Sequence, residues 1–377
     1  MKKIICIAAA MWFFALTASA AEWDNIPADW QQIYSEQYEA GGVGDIYDSL
    51  PSDTRDLLDS MGLDPQTGEL PQISAENVFS HIFKLFESGM SRPLKICGGL
   101  LGIILTVAVI GILGEKSAGL GAVRLASSLC ITVTVLLPMF ETVTVVINTL
   151  KGVAAFMSSF VPVFCASVIS SGYSATGLAS SAMLMAACQG LSYLLSFGIT
   201  SFLGVYLALS AVAPVSPLGS VGSPAATVKK VANWALTSAL TVFLGILGIQ
   251  TGITSATDSV ALRTAKFMAG NIPVVGSAMG ETVSVVKSSM ALVSTSSAGY
   301  GAVAVAALLC PVILEMFVWR IGLAVCSAVC GIMGDKKSEE LINSVDSVWG
   351  FLIGITVYVG LLFIISLAIV AKTVRGV

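Results

Sequence analysis

The sequence predicts an all-α polytopic membrane protein with about six transmembrane helices, within a range of roughly six to eight. Of its 377 residues, 55% are hydrophobic and only 11% are charged, a composition outside the usual range of soluble globular domains. Six apolar runs are each long enough to cross a bilayer. They cover residues 94–114, 125–147, 183–212, 231–253, 301–333 and 351–371. Residues 22–92 hold 14 acidic and three basic side chains, whereas residues 93–377 hold nine and 14, which predicts a water-facing acidic region followed by a membrane domain.

Residues 1–20 have the pattern of a secretory signal peptide. Lys2 and Lys3 precede an apolar stretch, and the small residues Ala-Ser-Ala close the segment at positions 18–20. We expect cleavage after Ala20, with an uncleaved membrane anchor as the alternative. In both cases the acidic region that follows is delivered across the membrane.

The acidic region, residues 21–92, is predicted to be a small helical region outside the cytoplasm. Ser52 and Asp53 can cap a first helix, and a second helix is expected from Ser74. The apolar stripe of the second helix consists of Val78, Phe79, Ile82, Phe83 and Phe86. This stripe either packs against the first helix or binds a membrane surface or a groove on a partner.

The polytopic membrane domain is predicted to cover residues 93–377, and two unusual segments interrupt its apolar runs. The first, residues 152–171, is short and serine-bearing and contains Pro162. We therefore expect a re-entrant or amphipathic element there, with a full span as the alternative. Positive charges fall on both sides of the membrane in the six-span arrangement, so the sidedness of the domain stays open.

The second unusual segment, residues 258–290, lies between two apolar runs but is charged. Its charged side chains include Asp258, Arg263, Lys266 and Glu281. Such charges exclude a straight path through hydrocarbon. Pro273 breaks any helix at its position, because proline lacks the backbone donor and disfavours helical geometry in the residue before it. We expect a re-entrant or amphipathic element of two helical pieces, the second of which opens at Gly280 with Glu281 near its N-terminus.

Arg263 and Lys266 are three positions apart and therefore share one helix face. Cations at membrane depth persist only beside an acid, carbonyl groups or water. The two residues therefore either line a central cavity or partner contact, or lie at the membrane surface and bind lipid phosphate.

A short internal match suggests a repeat. Residues 156–163 align with residues 267–274 at an offset of 111, with four identities. Broken segments at corresponding positions of two halves are typical of transport pathways. We expect Pro162 and Pro273 to break paired re-entrant segments that face each other, with a chance match as the alternative.

Glu315 and Arg320 are ionisable residues inside the apolar run 301–333. Each costs on the order of 3 kcal/mol at a helix centre, so each needs a partner or water. Five positions apart on a helix, they point about 140° from each other, and we expect each to interact elsewhere in the bundle. The alternative for Arg320 is that its side chain extends to a membrane interface.

No enzyme chemistry is predicted. The sequence has neither a Gly-x-x-x-x-Gly-Lys nor a Gly-x-Ser-x-Gly motif, and His81 is its one histidine. Its eight cysteines form no Cys-x-x-Cys motif, and all except Cys6 of the signal fall in apolar runs. This pattern argues against a disulfide framework or a zinc site. We expect no metal, no cofactor and no nucleic-acid partner.

The most specific pattern in the chain is its central segment, Thr257 to Phe267 with Asp258, Arg263 and Lys266, followed by Ile272 to Gly276. It comes after a signal, a region with Leu50, Pro51, Arg55, Leu58 and Gly62, and multiple spans. In this order the residues resemble the stage III sporulation protein AE family of endospore-forming Firmicutes. The resemblance covers nearly all of the chain after the signal.

The resemblance implies a membrane subunit of the channel or secretion complex that joins mother cell and forespore and is required for endospore formation. It also implies a location in the mother-cell-derived outer forespore membrane, with the N-terminal region extracytoplasmic. The implied partners are the other proteins of the same sporulation operon and a forespore-side membrane protein. Contacts with membrane lipid are expected, and a homo-oligomer is an open alternative.

The residues alone also support a competing interpretation. Paired broken segments and the intramembrane residues Glu315 and Arg320 are compatible with a stand-alone secondary transporter or permease of an unknown solute. A purely structural scaffold is the third interpretation, in which substitutions at the charged positions are tolerated.

Overall fold

The computed structural model describes residues 91–107, 109–110, 120–195, 222–270, 276–334 and 336–375. The described residues form six helices and include no strand. We number the helices α1 (residues 91–107), α2 (Leu120–Ser170), α3 (Ser174–Tyr193), α4 (Gly222–Gly270), α5 (Gly276–Ile332) and α6 (Lys336–Arg375). The prediction of an all-helical protein is confirmed for these described residues. The predicted signal peptide and the acidic region up to residue 90 lie outside the described residues.

Four of these helices contain stretches that are long and apolar enough to cross a membrane. They are Val133–Ser170, Lys230–Thr264, Ser294–Ile332 and Ser338–Val374. These stretches overlap four of the predicted spans. The predicted spans at 94–114 and 183–212 are described only in part, because α1 covers the first up to residue 107 and α3 covers the second up to residue 193.

The long helices exceed the thickness of a bilayer. At a rise of 1.5 Å per residue, the 51 residues of α2 extend about 76 Å and the 57 residues of α5 about 85 Å. A hydrocarbon core of about 30 Å therefore holds only part of each helix. The remaining turns can carry charged side chains in water.

Helices α5 and α6 form an antiparallel hairpin at the core of the bundle. The turn between them contains Gly334, whose φ of +75° favours glycine. Near the middle of the hairpin, a Cβ placed on Gly360 would lie 2.9 Å from Leu309. Closer to the turn, the buried rings of Trp319 and Trp349 stack with centroids 5.3 Å apart. These contacts fix the register of the two helices.

Helix α2 packs against this hairpin, antiparallel to α5 and parallel to α6. The hydroxyl oxygens of Ser171, just after α2, and Ser294 of α5 are 3.0 Å apart. Further along α2, Phe160 packs on Gly301 of α5, where a Cβ would lie 2.5 Å from the ring and 3.0 Å from Leu367 of α6. Residue 160 of α2 is therefore level with residue 367 of α6.

Helix α3 folds back on α2 through a tight turn. Gly172 in this turn has a φ of +88°, and a Cβ there would lie 3.0 Å from Leu262 of α4. Gly177 in α3 sits so close to α2 that a Cβ would lie 2.5 Å from Ile169. The two glycines allow α2, α3 and α4 to meet at one level.

Helix α4 lies at the edge of the bundle. Only 11% of its most apolar window is buried, compared with 50% for the windows of α2, α5 and α6. The helix runs parallel to α6: Asn233 faces Gly354, and one turn later the hydroxyls of Thr237 and Tyr358 are 2.9 Å apart. Its C-terminal part contacts α3.

The predicted re-entrant break at Pro162 is wrong. Helix α2 passes through Pro162 to Ser170, so the predicted elements 125–147 and 152–171 belong to one helix. Membrane helices tolerate proline where packing and neighbouring polar groups compensate for the lost hydrogen bond. Here Pro162 is exposed, and α2 is anchored by buried phenylalanines. These are Phe156, Phe160 and Phe164, whose successive ring centroids are 5.5 and 5.9 Å apart.

The boundary predicted at residue 258 is also wrong. Helix α4 runs without interruption from Gly222 to Gly270, so residues 258–290 are not a separate element. They include the end of α4 and the start of α5, while residues 271–275, with Pro273, lie outside the described residues. Because α5 begins at Gly276, Glu281 lies beyond its first turn. The internal repeat stays a prediction. The break that it expected at Pro162 is absent, because α2 is continuous there.

Candidate functional site

Asp258 is buried between α4 and α3, although it is an ionisable residue in a membrane-length helix. The residue is 4% exposed. Its carboxylate accepts hydrogen bonds from the backbone N–H of Ala175 at 2.9 Å and of Thr176 at 2.8 Å. It also accepts one from the Thr176 hydroxyl at 2.8 Å. A side chain of α4 thus caps the N-terminus of α3.

The start of α3 needs an acceptor that its own sequence does not supply. The first N–H groups of a helix have no partner within the helix. Tyr173, which precedes α3, provides no side-chain cap. A carboxylate is favourable at this position because the helix dipole places partial positive charge there. Asp258 therefore satisfies backbone donors and ties α4 to α3.

Hydroxyl groups extend this contact to the neighbouring helices. The Thr176 hydroxyl lies 3.2 Å from that of Thr254, which is one turn before Asp258 on α4. In the turn before α3, Ser171 lies 3.0 Å from Ser294 of α5. We call Asp258, Thr176, Thr254, Ser171 and Ser294 the polar layer. The polar layer joins α3 to α4 and the α2–α3 turn to α5.

The polar layer is suited to positioning helices. Both carboxylate oxygens of Asp258 already accept hydrogen bonds from α3. In the part of the chain that the structure describes, no group of three or more His, Cys, Asp or Glu side chains could hold a metal ion. We therefore assign the polar layer a role in holding α3, α4 and α5 in register.

Arg320 forms a two-point ion pair with Asp346 of α6. Its Nε and Nη2 atoms each donate to one carboxylate oxygen at 2.8 Å. The two side chains are 17% and 25% exposed, so the pair is largely shielded. Paired parallel hydrogen bonds are among the stronger polar contacts. The guanidinium packs over Gly350, one turn further along α6, where a Cβ would lie 3.5 Å from it.

In its C-terminal half, α2 packs one side against the core and exposes the other side, which is polar. From residue 146 to residue 170, it exposes no large hydrophobic side chain. The exposed positions recur every three or four residues and therefore form one helix face. Apart from Val145, which is 41% exposed, they are Glu141, Thr144, Asn148, Lys151, Ala155, Ser159, Pro162, Ala166 and Ser170. We call these nine residues the α2 polar face.

Lys151 lies near the middle depth of the bundle. It precedes Phe160 by nine residues, a rise of about 13 Å along α2. Because Phe160 is level with Leu367 and α2 is parallel to α6, Lys151 is about level with Tyr358. Tyr358 is close to the centre of the apolar run 351–371. The exposed cation of α2 is therefore at the depth of the most apolar part of α6.

The polar groups of the α2 polar face differ in how they are satisfied. The hydroxyls of Thr144, Ser159 and Ser170 donate to carbonyl groups one turn earlier in the same helix. At one end of the face, Arg92 of α1 forms an ion pair with Glu141. Lys151 forms no ion pair with any residue that the structure describes.

The structure places the predicted site residues in several environments. Arg263 is exposed near the end of α4, and Lys266 lies one turn further along the same helix. Glu315 is half-buried on α5 and forms no ion pair within the described ranges. The expectation that Arg320 finds a partner other than Glu315 is confirmed, since its partner is Asp346. Whether Arg263 and Lys266 line a cavity stays a prediction.

Sequence reasoning missed three residues of these contacts. Thr176 follows a turn glycine but has no distinctive motif around it. Asp346 precedes the apolar run of α6. An acidic residue at such a position predicts an exposed helix N-terminus and not a buried ion pair. Lys151 could have been predicted to lie on a polar helix face, because polar residues recur at three- and four-residue intervals from Glu141 to Lys151.

Comparison with known proteins places these features in context. The sequence model of the family described as Stage III sporulation protein AE matches residues 59–374, which include all four candidate spans. The Stage III sporulation protein AE of Bacillus subtilis (strain 168) is 25% identical over 302 residues, which cover 78% of this chain and 70% of the relative. No solved structure matches the chain.

Proposed function

Because the chain belongs to the stage III sporulation protein AE family, we propose that it is a membrane subunit of the channel or secretion complex between mother cell and forespore. A role in sporulation is what the family match supports directly. The match extends over the whole described bundle, so the family assignment applies to the membrane domain itself.

The α2 polar face is the observation that favours a subunit of a larger assembly. A lysine at the depth of the apolar run of α6 is costly in contact with lipid tails. The face also lacks the large apolar side chains that lipid tails would cover. If lipid surrounded a single bundle, the lipid tails would offer no hydrogen-bonding partners to the polar groups of the α2 polar face. Water or neighbouring subunits would supply these partners.

The exposed surface of α4 supports the same arrangement. Between residues 230 and 264, where its side chains are described, α4 exposes seven large apolar side chains, as expected of a surface that contacts lipid. They are Val231, Trp234, Val242, Ile246, Ile249, Ile253 and Val260. We propose that α4 faces the membrane and that α2 faces the interior of the complex.

The further proposals follow from the family. The partners are the other proteins of the same sporulation operon and a forespore-side membrane protein. The location is the mother-cell-derived outer forespore membrane, with the N-terminal region extracytoplasmic. We propose no catalytic role, because the chain lacks the nucleotide-binding and hydrolase motifs named above.

Affinity purification from sporulating cells tests this proposal. We expect the tagged full-length chain, solubilised in mild detergent, to co-purify with the other proteins of its operon. A tagged, unrelated polytopic membrane protein from the same cells is the control and should not retain them. Recovery of the chain without these proteins, at a stage when sporulation proceeds normally, would argue against the proposal.

A stand-alone transporter is the second candidate, and the Arg320–Asp346 pair favours it. Ion pairs inside membrane bundles are found along transport pathways. The candidates differ in what the purified chain does in lipid vesicles: a transporter moves a solute alone, whereas a subunit does not. The pair itself can be probed by the Asp346→Asn variant, which should abolish transport by a stand-alone carrier.

A further inference from the structure

We infer that the α2 polar face is the wall of a water-filled passage through the membrane and that this passage favours anionic solutes. The inference rests on the proposed function, because the part of the bundle that the structure describes presents only one wall and other subunits must close the passage. The argument uses the depth of the face, its chemistry and its charge.

The face lies within the membrane, as two chains of contacts indicate. Through Phe160, Lys151 is about level with Tyr358 of α6. The Tyr358 hydroxyl in turn lies 2.9 Å from that of Thr237, so the same level of α4 is near residue 237. Five residues further along α4 is Val242, a large apolar side chain that is 59% exposed. Val242 is therefore about level with Ala155, one turn beyond Lys151 on α2. Within about 8 Å of depth, the bundle thus carries a cation on one surface and an apolar residue on another.

The chemistry of the face fits water better than a packed protein. Protein interfaces are centred on large apolar or aromatic anchors and are depleted of charge at their cores. The α2 polar face has no such anchor from residue 146 to residue 170. Close packing of membrane helices through small residues is the alternative, but it would enclose the Lys151 ammonium, which has no acid beside it among the described residues.

The charge of the face gives the solute preference. Besides Glu141, Lys151 is the one ionisable side chain on the α2 polar face. Glu141 is neutralised by Arg92. Lysine side chains that line a passage favour anions, because the charge acts at close range where little water screens it. The passage should therefore admit anions more readily than cations of equal size.

Thiol labelling in membranes from sporulating cells tests the inference on the full-length chain in its complex. Ala155→Cys lies one turn beyond Lys151 on the polar face, and Val242→Cys is its control at nearly the same depth on α4. Both are made with Cys130→Ser, which removes an exposed native thiol. Open membrane sheets are treated with membrane-impermeant methanethiosulfonate reagents that carry either a sulfonate or a trimethylammonium group.

We expect Ala155→Cys to react at least about tenfold faster than Val242→Cys, because only the former meets water. At Ala155→Cys the ratio of sulfonate to trimethylammonium rates should fall about tenfold when Lys151→Glu is added. Lys151→Arg should keep the ratio. Since both labelled positions are exposed, the cysteines should leave the fold intact, and co-purification of partners checks this.

Three results would overturn the inference. Slow labelling at both positions would mean that protein or lipid covers the face. Fast labelling at both would mean that this level lies outside the membrane. An unchanged rate ratio in Lys151→Glu would remove the anion preference. Each can occur while partners still co-purify, so failure of the passage is distinguishable from failure of the proposed complex.

Discussion

Helices α2 and α4 both qualify as membrane spans, yet they are built in opposite ways. Helix α2 buries large side chains such as Met157, Phe160 and Phe164 in the core and exposes a polar face. Helix α4 buries only 11% of its apolar window and exposes large hydrophobic side chains. It is held partly by polar contacts, through Asp258 to α3 and through Thr237 to α6.

This difference shows that the exposed surface of a membrane helix is more informative than its average hydrophobicity. In lipid, an apolar exposed face is the satisfied state and a polar exposed face is unsatisfied. Helix α4 is therefore complete as a lipid-facing helix. Helix α2 is incomplete until water or protein covers its polar face.

The largest effect should come from the core side of α2. Phe160→Ala removes a ring that is 1% exposed and packs between Gly301 and its stacked neighbours. We expect a loss of about 3–5 kcal/mol in the free energy of unfolding, because the cavity cannot collapse around rigid helices. Thermal unfolding in detergent measures it. Val242→Ala on α4 is the control. It should change the free energy of unfolding by less than about 1 kcal/mol, because the Val242 side chain is largely exposed and makes few packing contacts.

A charge placed on the exposed face of α4 should have the next largest effect. Val242→Lys puts an ammonium group at about the depth of Ala155, roughly one turn beyond Lys151 on α2. On α4 it should cost about 2.5–3.5 kcal/mol of insertion free energy. The amount of protein in the membrane fraction reports this cost. Ala155→Lys on the polar face is the matched variant, and equal losses for both variants would refute the contrast between the helices.

The sequence predicts the class of the protein well, because composition and run length follow from the physics of the bilayer. It misplaces helix boundaries, because charges and prolines predict breaks where α2 and α4 are continuous. Pro162 is accommodated by packing on the other side of α2, and Asp258 is accommodated by a helix 82 residues away from it in the chain. Both depend on contacts distant in sequence, which local patterns do not contain.

The candidate sites divide in the same way. Arg320 is visible as an intramembrane charge, but its partner Asp346 is known only once the α5–α6 hairpin brings them together. The α2 polar face could be found from its spacing, because a helical period is local information. The face extends along α2 on both sides of residue 150, so it is continuous only because residues 120–170 form one helix.

Loss of the Asp258 carboxylate should have an intermediate effect on α4. Asp258→Ala leaves backbone N–H groups of Ala175 and Thr176 without their acceptor. We expect a loss of about 2 kcal/mol, comparable to removal of a helix cap with buried donors. Thermal unfolding should show it, and protease sensitivity should rise near the α2–α3 turn. Arg263→Ala, an exposed change on the same helix, should leave both unaffected, and an equal loss there would show that Asp258 is not a specific tie.

Substitution of Ser159 on the α2 polar face should have the smallest effect on stability. It should nevertheless reduce function. The Ser159 hydroxyl makes only a long 3.4 Å contact with the Ala155 carbonyl, and the residue is exposed. Ser159→Leu should therefore alter the free energy of unfolding by less than about 0.5 kcal/mol. The added apolar side chain would nevertheless occupy space needed by water or a neighbour, so the yield of heat-resistant spores should fall at least about tenfold. Ile249→Ser makes the reverse exchange on α4, where a serine hydroxyl can donate to a carbonyl one turn earlier, and it should sporulate normally. Equal spore yields from the two variants would show that the polarity of α2 is incidental to function.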